Sequence, residues 1–277
     1  MICKIRKLRI FFVSIFLIIP AFNLFSLDKE NFSEPLSKND VNPFDRMLMN
    51  PYSKGLDYTG TAFEALLLTS PALLFLPQIF PIDGQSKNEE VEGGLSTSHS
   101  AGDVFPLCDL WKLGLEYAET LLLAYGAKEL AKNCVDRARP YMYFEGAPAD
   151  KIEDGDWQNS FFSGHTTLSF AAATFTTFKF CQYFPDSVYK PYVIAATYSL
   201  AAVTAGLRLA SGNHFMTDVL CGAAAGTLIG FFVPWINSFW FKPSIAKDKN
   251  ENNQGMLNES KLSFDLLPAG FLLTYRF

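Results

Sequence analysis

At 277 residues the chain has room for one domain with extensions and a sizeable core. Its net charge of −5 gives no support to the basic stripe that a nucleic-acid surface needs. A hydrophobic content of 49% and a mean hydropathy of +0.12 leave two classes open, a membrane-associated protein and an exported helical bundle.

Lys4, Arg6, Lys7 and Arg9 precede an uncharged run from Ile10 to Leu24, and Asp28 opens a polar segment. A basic start, an apolar middle and a small residue such as Ser26 read residues 1–26 as an export signal. The alternative is an uncleaved N-terminal membrane anchor. Both deliver the rest of the chain across the inner membrane, either into the periplasm or to a membrane site that faces it. Cys108, Cys134, Cys181 and Cys221 show no metal-ligand spacing and read as buried free thiols.

Residues 27–108 read as an N-terminal extension with one apolar helix and a loop. Leu27 to Gly60 is a polar and aromatic lead-in. Ala62 to Ile82 is apolar, carries Glu64 and is broken by Pro71, Pro77 and Pro81. Asp83 to Asp103 is a charged loop rich in glycine and serine.

Residues 109–240 read as the core. Asp109 to Asp136 predicts a long helix that ends before Pro140. Leu110, Leu113, Tyr117, Leu121 and Ala124 share one face of it. Lys112, Glu116 and Glu119 make a charged stripe on another, which does not suit a helix surrounded by lipid. Tyr141 to Asn159 is an acidic loop and reads as solvated. Helices follow over Ser163–Tyr183, Tyr192–Leu209 and about Phe215–Trp240, the last two with uncharged stretches approaching the roughly 20 residues of a membrane span. Gly222, Gly226 and Gly230 stand four apart on the last helix and predict close backbone contact with a neighbour. Residues 241–277 read as a polar tail ending in a short strand, from the alternation of Phe271, Leu273, Tyr275 and Phe277. The fold class is therefore all-α, a bundle of about five to six helices with a short C-terminal strand.

Three clusters in the core carry chemistry. Lys132 and Arg139 offer cations about two helical turns apart, and arginine can engage two phosphate oxygens at once. Ser163 is a helix N-cap candidate followed by Gly164 and His165; free N–H groups at a helix start attract anions, and glycine admits a ligand close to the main chain. Arg208 closes one helix and His214 opens the next, with Asp218 one turn on. A carboxylate on one ring nitrogen fixes the tautomer and leaves the other nitrogen free to attack.

Lys132-x6-Arg139-Pro140, Ser163-Gly164-His165 and Arg208-x5-His214-x3-Asp218 resemble the three signature motifs of the type 2 phosphatidic acid phosphatase (PAP2) superfamily. That group includes bacterial class A acid phosphatases and vanadium haloperoxidases. The resemblance covers roughly Asp109 to Trp240. It implies that His214 is the nucleophile, that Asp218 orients it, and that His165 is the general acid and then the base. Lys132, Arg139, Ser163, Gly164 and Arg208 would bind the phosphate. The implied substrate is a phosphorylated lipid or a small phosphate ester, with membrane association and with no metal or other cofactor. Phe162 stands where the family has a proline, and Leu207 where it has a serine. The second change removes a hydroxyl near the pocket but leaves every charged role filled. A soluble periplasmic acid phosphatase, a lipid phosphotransferase, a vanadium haloperoxidase and a non-catalytic bundle are the competing readings. The headgroup is expected to be read by the loops Asp83–Asp103 and Tyr141–Asn159.

Overall fold

Among the described residues five helices are longer than ten residues: α1 (Lys54–Leu68), α2 (Leu110–Cys134), α3 (Gly164–Tyr183), α4 (Lys190–Ala210) and α5 (Met216–Ser238). They belong to a computed structural model that describes residues 35–79, 109–239, 261–267 and 270–276. The export signal or anchor over residues 1–26 and the loop Asp83–Asp103 lie outside the described residues.

Helix α3 is the axis of the bundle, with α1, α2, α4 and α5 packed around it. Its sequence explains the position. Ala171, Ala172 and Ala173 are small enough to be enclosed on every side, and Thr166, Thr167, Thr174 and Thr176 are buried with their hydroxyls bonded within the helix, to its cap or to a neighbour. Thr167 donates to the Ser163 carbonyl at 2.8 Å, and Thr176 meets Ser70 at 2.7 Å. An apolar cluster of Leu67, Ala172, Ala173 and Ala201 ties α1, α3 and α4 together.

The glycine stripe of α5 does what its spacing predicts. A Cβ on Gly222, Gly226 or Gly230 would come within 2.7, 2.2 and 2.5 Å of the backbone oxygens of Ser163, Thr167 and Ala171. Helix α5 therefore lies backbone against backbone on α3. Cys221, off that stripe, is exposed, as is Cys134 at the end of α2, so neither is the buried thiol expected.

Two details go beyond the sequence reading. The helix of the extension begins at Lys54 rather than Ala62, and a 3-10 turn over Ser70–Phe75 takes up Pro71. In α2, Glu116 of the charged stripe is buried in an ion pair with Lys179 of α3. Glu119 accepts from the Asn237 side chain of α5 at 2.9 Å. The stripe thus faces its neighbours.

Helices α4 and α5, of 21 and 23 residues, are long and apolar enough to cross a membrane. The chain divides into two compact units, residues 1–241 and 242–277. In the second, β1 (Lys261–Leu267) pairs antiparallel with β2 (Gly270–Arg276), with Leu262 opposite Tyr275 and Phe264 opposite Leu273. The C-terminal strand was expected. Its partner carries the same alternation in Leu262, Phe264 and Leu266.

Candidate active site

The turn between α4 and α5 is clamped from two sides. Asn50 of the lead-in donates to the Leu209 carbonyl at 3.2 Å, and the Ser53 amide donates to the Ser211 carbonyl at 3.1 Å. From the other side the Tyr141 amide donates to the Gly212 carbonyl at 3.2 Å. Gly212 sits at φ +72°, in the left-handed region, which lets the chain reverse within three residues.

His214 leaves this turn fully enclosed, with Nδ1 2.8 Å from the Ser160 carbonyl oxygen. A carbonyl only accepts, so Nδ1 carries the proton and Nε2 keeps its lone pair. Nε2 lies 3.3 Å from Nη1 of Arg139. Asp218 is 3.8 Å from Nδ1, too far for a hydrogen bond, and acts at one remove. Its carboxylate accepts from the Ser160 hydroxyl at 2.5 Å and from the Phe215 amide at 2.9 Å, and it pairs with Arg137. It thereby fixes the residue whose carbonyl holds the imidazole. Arg137 in turn binds Asp45 at 2.6 Å, and Asp45 accepts from the amide and hydroxyl of Thr217 at 2.9 and 2.8 Å.

A cavity of about 320 Å³ opens beside His214. Lys132, Arg139, Gly164, His165 and Arg208 line it with His214, so six of the eight residues expected from sequence meet there. The other two, Ser163 and Asp218, stand behind it. Ser163 caps α3, accepting from the Thr166 amide at 3.5 Å and its hydroxyl at 2.9 Å, and its own amide bonds the Asp218 carbonyl at 3.1 Å. Gly164 is glycine because a Cβ would lie 2.6 Å from Cδ of Lys128.

Sequence reasoning missed several residues of the cavity. Lys128 and Lys151 bring its cations to five, and Asp57, Glu64 and Asp156 are its carboxylates. Asp57 anchors Arg208 at 2.7 Å and Lys151 at 2.8 Å. Asp156, in the loop expected to be solvated, accepts from Arg139 at 2.7 Å. Burial works to raise Asp156, but Arg139 and Lys132 outweigh it and hold the carboxyl below the usual range. Lys132 makes no hydrogen bond among the described residues, and burial, with the charges of Arg139 and Lys128, lowers its ammonium.

Three of the missed groups share a stripe on α1: Asp57, Thr61 and Glu64 are spaced four and three apart, with Gly60 between. A Cβ at Gly60 would lie 2.1 Å from Nη2 of Arg208, so glycine makes room for the guanidinium. Thr61 Oγ1 and Glu64 Oε2 lie 3.3 and 3.4 Å from Nε2 of His165. This four- and three-residue spacing of polar groups was the signal available in sequence.

Burial dominates the proton affinities. It pushes Glu64 up to about 7, against the pull of Arg208 and Lys128. His165 is pushed down to about 3 by burial, then by Arg208 and His214. His214 goes down to about 4 through burial and the Arg139 charge, although Asp218 opposes this. Near neutral pH His214 is thus unprotonated and beside an excess of positive charge. That arrangement can hold an anion with a bare imidazole nitrogen against it.

The PAP2 superfamily model matches residues 113–242. A lipid A 1-phosphatase of Porphyromonas gingivalis is 36% identical over 89 residues, which is 32% of this chain and 19% of that protein. A PA-phosphatase related-family protein of Dictyostelium discoideum is 27% identical over 158 residues, 54% of this chain and 58% of that one. The chain therefore spans less than two thirds of either relative. The solved structure of a transmembrane PAP2 type phosphatidylglycerolphosphate phosphatase from Bacillus subtilis is also similar. It has a TM-score of 0.43 and 19% identity, covering 72% of this chain and 85% of that one.

Proposed function

We propose, from the match of the PAP2 superfamily model to residues 113–242, that the protein is a metal-independent phosphatase of lipid phosphates acting outside the cytoplasm. The observation that carries the reading is His214. Its Nδ1 is tied to a backbone carbonyl, and its bare Nε2 stands at a cavity with five cations.

In this mechanism Lys132, Arg139 and Arg208 hold the phosphate oxygens, helped by the positive end of α3 at Gly164. Nε2 of His214 attacks phosphorus as the bond to the leaving oxygen breaks, and His165 passes that oxygen a proton. Water then attacks the phosphohistidine, His165 takes its proton, and inorganic phosphate leaves with His214 restored. Asp218 keeps its place in this scheme through Ser160.

Membrane association is supported by the apolar lengths of α4 and α5 and by their exposed side chains, among them Val203, Leu228, Phe232 and Ile236. The basic and then apolar run at residues 4–24 supports export. The test is phosphate release from phosphatidate, phosphatidylglycerol phosphate, lipid A, undecaprenyl diphosphate and a soluble ester, each with chelator present. Release from at least one lipid, undiminished by chelator, is expected. Activity lost to chelator, or confined to the soluble ester, would overturn the reading.

A further inference from the structure

Glu64 is a buried carboxylate that the mechanism above does not use. Among the described residues its hydrogen bonds and ion pairs come down to one, with His165. A buried carboxylate costs stability unless it is paired. Asp57 and Asp156, its neighbours in the cavity, each have an arginine. Glu64 has an imidazole.

We propose that Glu64, with Thr61 beside it, is the positioning residue for His165, holding Nε2 from α1 and keeping a proton available to the leaving oxygen. This inference rests on the reading of His165 as the general acid of a phosphatase. The charges facing the pair come from several elements. Arg208 of α4, Lys128 of α2, Arg139 from its loop and His214 from the α4–α5 turn surround it, with Asp57 on α1 itself. The cations strip the proton from an isolated imidazole, and a carboxylate within ion-pair distance offsets them. Near neutral pH the two groups together hold one proton that His165 alone would lose. As the leaving oxygen departs, the Nε2–H bond breaks and an O–H bond forms on that oxygen. The proton of the attacking water later returns to the pair, so the cycle closes.

The experiment measures kcat and KM against pH for the wild type and the Glu64→Gln, Glu64→Asp and Thr61→Val variants. Two esters are used: an alkyl phosphate, whose leaving oxygen needs a proton, and p-nitrophenyl phosphate, whose leaving group does not. With Glu64→Gln, kcat on the alkyl ester is expected to fall about tenfold or more, while KM stays within about threefold and the aryl ester changes little. The alkaline limb should move down by about one pH unit, because removing a neighbouring negative charge makes the imidazolium a stronger acid. Glu64→Asp should recover part of the loss. Thr61→Val removes one contact to the same nitrogen and should act in the same direction by about threefold, which keeps the test open if Glu64→Gln does not fold. Equal losses on both esters with the limb in place would mark Glu64 as structural and overturn the proposal, as would unchanged kinetics. A wild type that releases phosphate from neither ester would instead have refuted the phosphatase reading, and this inference with it.

Discussion

The wall of the cavity made by α3 and α5 and the wall made by α1 are held in place by different physics. Helix α5 meets α3 through backbone, with Gly222, Gly226 and Gly230 pressed on carbonyl oxygens. Helix α1 reaches the site through side-chain ends: Asp57 on Arg208 and Lys151, Thr61 and Glu64 on His165. The first wall lies in the segment matched by the family model and the second lies before it. His214 leads directly into this close-packed seam, while the groups that surround it from α1 sit on side-chain contacts.

The largest effect should come from the rigid wall. His214→Ala should cut phosphate release at least about a thousandfold with the fold intact, read by turnover beside circular dichroism. Retained turnover would remove the nucleophile from this wall altogether. On the adjustable wall, Asp57→Ala releases Arg208 and Lys151 together, and kcat/KM should fall about ten- to a hundredfold from misplacement of the phosphate. A rise would instead mean that Asp57 only tempers the positive charge. The smallest effect is a paired one. Gly226→Ala sets a methyl against the Thr167 carbonyl and should cost about 1–3 kcal/mol, seen as a lowered Tm. Gly60→Ala sets the same methyl against the end of the Arg208 side chain, which can turn away, so activity should fall more than Tm. Equal Tm losses would erase the contrast between the walls.

Much of this was legible in the sequence because motif and element coincide. Ser163 caps α3, Arg208 sits in the last turn of α4, and His214 precedes α5 by two residues. The glycine spacing also named the seam correctly. What escaped was long-range pairing. Nothing local at Glu116 announces Lys179, and nothing in an acidic loop distinguishes Asp156, which binds Arg139, from Asp150 and Asp154 beside it. The role of Asp218 was read as a direct bond to His214 because the four-residue spacing allows it. The Ser160 carbonyl is nearer, and that is fixed by how the chain returns to α3.

The lead-in strap has a consequence for when this protein becomes itself. Asp45 bonds Thr217 across 172 residues, Asn50 reaches Leu209 across 159, and Asp57 reaches Arg208 across 151. At about 5–20 residues per second, a ribosome makes the strap roughly ten to thirty seconds before the residues it fastens. Until α4 has been synthesised Asp57 has no guanidinium, and until α5 begins Asp45 has no Thr217 to bind. A chain still being made therefore holds Asp45 and Asp57 well before the arginine and the threonine that fasten them.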